Sequence, residues 1–244
     1  WPGLDISLPG GQHLHLVGSI HMGTQDMSPL PPGLIKLLKR ADALVVEADI
    51  SGHESPFAGL ESTLSLAERL DDALLAELTR VADETGVSLS MIDALPLWQI
   101  AMVLQATQAQ RLGLRGDYGI DYQLLNMARA RRMPIIELEG TDSQIALLRQ
   151  LPDDGLMLLD DTLTHWHTNA RLLQTMIGWW LDAPPADSKL ALPSTFSESL
   201  YDVLMNARNK AWRQTLHALP AGHYVVAVGA LHLYGEGNLP SLLK

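Results

Sequence analysis

The chain predicts an α/β fold, one domain spanning residues 1–244 with a mixed or mostly parallel central sheet and helices around it. Three observations carry this. Runs rich in Leu and Val recur around residues 13–20, 43–49 and 224–229, and strands buried on both faces of a parallel sheet read this way. Between them lie segments whose apolar residues fall at helical spacing. Two of the runs end in one phrase, Gly18-Ser19-Ile20-His21 and Gly229-Ala230-Leu231-His232. Beyond the carboxyl ends of such strands the backbone stops pairing and side chains reach a cleft. His21 and His232 are therefore candidates for one site, against the plainer reading of two satisfied strand-end histidines.

In chain order, residues 13–20 read as a buried strand ending at the first glycine phrase. His13 and His15 share one of its faces and read as ordinary strand residues. The prolines of Asp26-Met27-Ser28-Pro29-Leu30-Pro31-Pro32 make a stiff turn, and Pro32 opens a helix over 33–40 with cations in its last turn. Ala43-Leu44-Val45-Val46-Glu47-Ala48-Asp49 is a second strand. Glu47 at its end is costly to bury unless paired, hydrogen-bonded or bound to a cation, so it is a site candidate; an N-cap or salt-bridge role is the alternative. Residues 51–65 read as a loop over the cleft.

A polar helix over 67–84 stops at Gly86, and a helix of low charge follows from Leu95 to Ala106 by number, its Met and Trp stripe reading as core. A helical section of about 95–220 occupies the middle of the domain. Within it Asp121 is a candidate N-cap of a helix over 122–131, a role compatible with a place in the site. Residues 133–140 form a third short strand, where Glu139, just before Gly140, is a better site candidate than Glu137. Helices are expected over 142–150, from Asp153 or Asp154 to about 180, and from a Thr195–Glu198 capping-box spacing to about 219. On the last of these Arg208, Asn209 and Trp212 stand together. His165 and His167 point apart on a helix and make no chelate. Residues 184–188 read as a connection inside the domain.

Composition narrows the partners. With 17 Lys and Arg against 28 Asp and Glu the net charge is -11, which argues against nucleic acid or an anionic membrane surface. Cysteine is absent, so a metal would have to use His and carboxylates. The longest apolar runs fall short of the roughly 20 residues a membrane span needs. The chain opens Trp1-Pro2 without Met, so a removed leader is an expectation, with a cytoplasmic or periplasmic location both open. No pattern sets an oligomeric state or a specific substrate.

The phrase Gly18-Ser19-Ile20-His21 followed by Pro29-Leu30-Pro31, the strand ending Glu47-Ala48-Asp49, Gly119-Ile120-Asp121, Leu138-Glu139, Arg208-Asn209 with Ala211-Trp212, and Val228-Gly229-Ala230-Leu231-His232-Leu233-Tyr234-Gly235 together resemble the TraB/GumN (TraB/PrgY/GumN) family, which includes the TIKI-type metalloproteases. The resemblance spans nearly the whole chain, and departs after Gly235, where many relatives carry a further glycine and a longer C-terminal strand. It implies a fold shared with erythromycin-esterase-like and ChaN-like proteins. It also implies a site of two Gly-x-x-His motifs and a glutamate, with the divalent-metal-dependent peptide hydrolysis of the TIKI branch. On this basis His21, Glu47 and His232 are expected metal ligands, and Glu139, Asp121, Arg208 and Asn209 recurrent site positions.

A nitrogen and oxygen ligand set suits Mn, Co or Zn, and such a cation activates water. Glu47 would then serve as ligand or base, Glu139 as its counterpart in proton transfer, and Asp121 and Asn209 would bind substrate. Arg208 would polarise the scissile carbonyl or clamp a substrate carboxylate, unless it is an ordinary ion pair. Two further readings keep the same residues: a metal-independent hydrolase with a histidine base, and a non-catalytic binder of a peptide or a metal-containing small molecule.

Overall fold

The computed structural model describes residues 1–50, 64–185 and 192–244; most of the loop expected over 51–65, with its role above the cleft, lies outside them. Among the described residues five strands form one sheet: β1 (Gly3–Ser7), β2 (Gln12–Ser19), β3 (Ala43–Val46), β4 (Ile135–Glu137) and β5 (Gly222–Gly229). Their spatial order is β1-β2-β5-β3-β4, with β1 antiparallel to β2 and every other neighbour parallel. The sheet is thus mixed but mostly parallel. β1 is not foreseen, because its alternation of exposed and buried residues lasts only five positions at an edge. The second strand is shorter than expected and releases Glu47 just past its end.

The central strands are buried because their sequences carry almost nothing but branched apolar side chains. Leu16, Val17, Leu44, Val45, Val226 and Val228 are all essentially inaccessible, as helices on both faces of a parallel sheet demand. In β2 and β5 the parallel register pairs Ser19 with Gly229. The two Gly-x-x-His phrases therefore leave neighbouring strands at the same end of the sheet.

The helices are α1 (Pro32–Arg40), α2 (Leu66–Arg69), α3 (Asp72–Thr85), α4 (Leu89–Ile92), α5 (Leu97–Arg111), α6 (Ile120–Ala130), α7 (Thr141–Arg149), α8 (Leu156–Thr164), α9 (Trp166–Leu181), α10 (Glu198–Tyr201), α11 (Ala207–His217) and α12 (Leu239–Leu243). α1 begins with Pro32 as its first residue. α3 ends on Gly86, whose φ of 77° gives the left-handed cap that glycine adopts without strain. The helix expected over 67–84 is two helices, and the long one expected from residue 153 breaks at His165 into α8 and α9. Before α8, Asp153 and Asp154 take left-handed dihedrals. Asp154 caps α5 rather than its own helix, its Oδ2 accepting from the Leu97 amide at 3.1 Å.

Among the described residues two apolar clusters result. One wraps the sheet and includes Trp179, Trp180 and Trp212; the other, around Trp98, Leu104, Leu158 and Leu159, lies among the helices of the middle section. α10 and α11 are joined by a π-helical turn, Asp202–Asn206. One extra residue in such a turn rotates everything after it, and Arg208, Asn209 and Trp212 come immediately after. The helix starts from Ser197 rather than from the expected Thr195, and no side chain caps it.

Candidate functional site

The site is built where the strands end. After β2 the chain turns through Gly23 and pairs with the segment leading into α6: Gly23 and Arg115 exchange backbone hydrogen bonds of 3.0 and 2.8 Å, and the Ile120 amide donates to the Ile20 carbonyl at 2.9 Å. Gly119 permits this approach, since a Cβ there would lie 2.2 Å from the His21 carbonyl oxygen. Docking the start of α6 against β2 carries Asp121 to His21. Asp121 is the second residue of α6, with Gly119 at the cap position, so its carboxylate is not the N-cap expected. It instead accepts from His21 Nδ1 at 2.8 Å.

The two partners sit in different surroundings. The Asp121 side chain is 8% exposed and that of His21 70%. A carboxylate only accepts, so Nδ1 of His21 carries its proton and Nε2 faces outward. The charge of Asp121, then its hydrogen bond, pushes the His21 pKa up to about 9, with a further upward contribution from Glu47. Asp121 is held below the usual carboxylate range: burial opposes ionisation, and the His21 charge and hydrogen bond outweigh it.

His232 follows β5 on a short helical turn, Ala230–Leu233. It is buried, and its Nδ1 lies 2.6 Å from Asn209 Oδ1. Asn209 donates its amide Nδ2 to the Gly237 carbonyl at 3.1 Å. That donation orients the amide oxygen toward the imidazole, so Nδ1 of His232 is a donor and Nε2 carries the lone pair. Burial, then the charge of Arg208, lowers the His232 pKa to about 3. One histidine is thus cationic at the rim, the other neutral inside.

Between them lies a carboxylate clamp. Arg208 donates from Nε to Glu139 Oε1 at 2.6 Å, from Nη2 to Glu139 Oε2 at 3.0 Å and from Nη2 to Glu47 Oε1 at 2.6 Å. The Gly229 amide donates to Glu47 Oε2 at 2.6 Å, and Trp212 Nε1 to Glu139 Oε1 at 2.9 Å. The Trp212 ring, fully buried, supports the guanidinium 4.8 Å above it and lies 4.4 Å from the His232 ring. Burial works against the charge on Arg208, but Glu139 and Glu47 outweigh it and its pKa rises.

The expected residues therefore fall into three hydrogen-bonded groups at one end of the sheet: His21 with Asp121, His232 with Asn209, and Glu47 and Glu139 with Arg208. His21, Glu47 and Asp121 also line one cleft, with Ser19, Val46 and Ala227 as its walls. Sequence reasoning did not single out Ser19, whose Oγ accepts from the Asp121 amide at 3.1 Å. It noticed Trp212 only as a neighbour of Arg208; an indole one helical turn from an arginine was the signal for its role. Arg208 directs its guanidinium at two carboxylates, those of Glu139 and Glu47.

A divalent cation finds no prepared place in this arrangement. Among the described residues no group of three or more His, Asp or Glu side chains gathers to hold a metal ion. All four oxygens of Glu47 and Glu139 already accept from Arg208, Trp212 or Gly229. Among the described residues, as they stand, these side chains are not arranged for that group.

The model of the TraB/PrgY/gumN family matches residues 5–244. The chain belongs to this family. It is 63% identical to YbaP of Escherichia coli K12 over all 244 of its residues, covering 92% of that protein, and equally similar to YbaP of Shigella flexneri. No solved structure matches it. Family membership accounts for the shared motifs, and none of the described helices is long and apolar enough to cross a membrane.

Proposed function

We propose that this TraB-family chain is a hydrolase of peptides or small acyl compounds, in which the His21–Asp121 pair moves the proton of an attacking water. The observation that supports it most is the His21 imidazole itself: exposed on the cleft, with Nδ1 tied to a buried carboxylate and Nε2 making no hydrogen bond among the described residues. An imidazole so held presents the proton-accepting nitrogen in one orientation, and the anion behind it stabilises the imidazolium that forms. Neutral His21 takes a proton from water through Nε2; the imidazolium returns it to the leaving group. The clamp of Arg208, Glu47 and Glu139 joins the ends of β3, β4 and β5 and fixes the cleft floor.

The raised pKa of His21 keeps the imidazolium dominant at neutral pH, so the base form, and with it turnover, increases as pH rises toward about 9. One observation favours the divalent-cation reading with Mn, Co or Zn: both histidines are anchored through Nδ1, as metal-binding imidazoles commonly are. That reading needs Arg208 to release Glu47.

A panel of peptide and ester substrates, offered to untagged protein with and without chelator, separates these. The expected result is chelator-insensitive turnover that falls on the order of 10²–10⁴-fold in His21→Ala. Turnover abolished by chelator and restored by Mn would overturn the proposal in favour of the cation. Saturable binding without turnover would replace it with a binding role.

A further inference from the structure

A second histidine pair lies at the opposite end of the sheet. His13 of β2 and His223 of β5 are register partners, so both side chains leave the same face, and their rings stack with centroids 4.9 Å apart and planes 21° from parallel. Six residues of strand, about 20 Å at 3.3 Å per residue, separate this level from Ser19 and the cleft. The same level continues across four chain segments. Ser7 of β1 is the register partner of His13 and lies 2.9 Å from its Nδ1 through Oγ. On the far side Asp42 accepts from the His223 amide at 2.8 Å. All four residues are exposed.

The ring nitrogens are largely unspent. Neither nitrogen of the His223 imidazole makes a hydrogen bond among the described residues, and neither does Nε2 of His13. The contrast is His15, two residues along on the same face of β2. Its Nδ1 meets Asp5 at 2.8 Å and its Nε2 accepts from Trp1 at 2.9 Å, so it has nothing left to offer a ligand. Two imidazoles remain, on neighbouring strands, both open to solvent.

We propose that His13 and His223 form a surface site for a borderline transition-metal dication of the Zn²⁺, Ni²⁺ or Cu²⁺ kind, held by two imidazole nitrogens and completed by solvent. Imidazole is a preferred ligand of these ions, and the bond length of about 2.0–2.1 Å is within reach of side chains from strands about 4.8 Å apart. The stacked rings converge by turning about χ2, which is a broad torsion for histidine, opposed at His13 only by the exposed Ser7 contact. The site is independent of the hydrolase reading and takes no part in it.

The test is calorimetric titration of untagged protein with Ni²⁺ and Zn²⁺, alongside nuclear magnetic resonance spectra recorded with substoichiometric Ni²⁺. Wild type, His13→Gln, His223→Gln and His21→Ala are compared. The expected result is one bound equivalent, weakened at least tenfold in either glutamine variant and kept in His21→Ala, with broadening centred on Ser7, His13 and His223. An equivalent unaffected by His223→Gln, or broadening confined to the surroundings of His21 and His232, overturns it. The glutamine variants sit on exposed positions and their spectra report directly whether the sheet is intact.

Discussion

Asn209 sets the tautomer of His232. Its amide is oriented by donation to the Gly237 carbonyl, and its oxygen then lies 2.6 Å from Nδ1 of the imidazole. The neutral ring that burial demands is thereby confined to one tautomer. Replacing Asn209 by Asp puts an anion where the amide oxygen stood, and the His232 pKa is expected to rise from about 3. Asn209→Ala removes the acceptor and is expected to cost about 1–3 kcal/mol, the penalty of a buried unpaired donor. Histidine titration by nuclear magnetic resonance and urea unfolding read the two outcomes.

The His21–Asp121 pair makes stability depend on pH in a defined direction. The folded-state pKa of His21 is raised, so its contribution is complete below the ordinary histidine value near 6.5 and is lost as pH climbs through about 9. Asp121→Asn is expected to return the imidazole toward its ordinary value. The same change is expected to remove the downward slope of stability between about pH 6.5 and 9, measured by urea unfolding across that range. If both curves run parallel, the pair carries no such coupling.

Arg208→Ala leaves two carboxylates facing each other without a cation, each less than a fifth exposed. Breaking a buried ion pair by deleting one partner costs about 3–5 kcal/mol. Arg208→Lys is expected to recover little, because a single ammonium cannot reproduce the forked contact with Glu139 and the added contact with Glu47. Unfolding midpoints of the two variants should fall close together.

Gly119→Ala is expected to displace the His21 loop, since its methyl would stand 2.2 Å from the His21 carbonyl oxygen and 2.8 Å from its carbon. Gly86→Ala makes an informative contrast. No atom lies within 4 Å of its Cβ, and only its left-handed φ of 77° opposes the change, at about 1–2 kcal/mol. Gly119→Ala should perturb His21 resonances and abolish any turnover, whereas Gly86→Ala should leave both alone.

What could be read from the residues follows a physical division. Strands β2, β3 and β5 were legible because burial on both faces writes itself as an unbroken apolar run, and the positions of His21, Glu47 and His232 followed from the run ends. The partners were not legible. Asp121 looks like a local helix cap, and only the docking of Gly23 on Arg115 shows that it serves a histidine 100 residues earlier in the chain. Arg208 allowed three roles because helical spacing says which face it shares but not what lies opposite. The break at His165 was hidden because the apolar pattern runs on through it, and β1 because five alternating residues make too short a signal.

The order of the strands bears on synthesis. β5 follows β2, β3 and β4 in the chain, yet it lies between β2 and β3. During translation the two halves of the sheet must wait, each with an open apolar edge, until that strand clears the ribosome. A chain halted before residue 222 would have neither a joined sheet nor the Gly229 amide that Glu47 needs, and such a fragment is expected to be sticky and a client for chaperones.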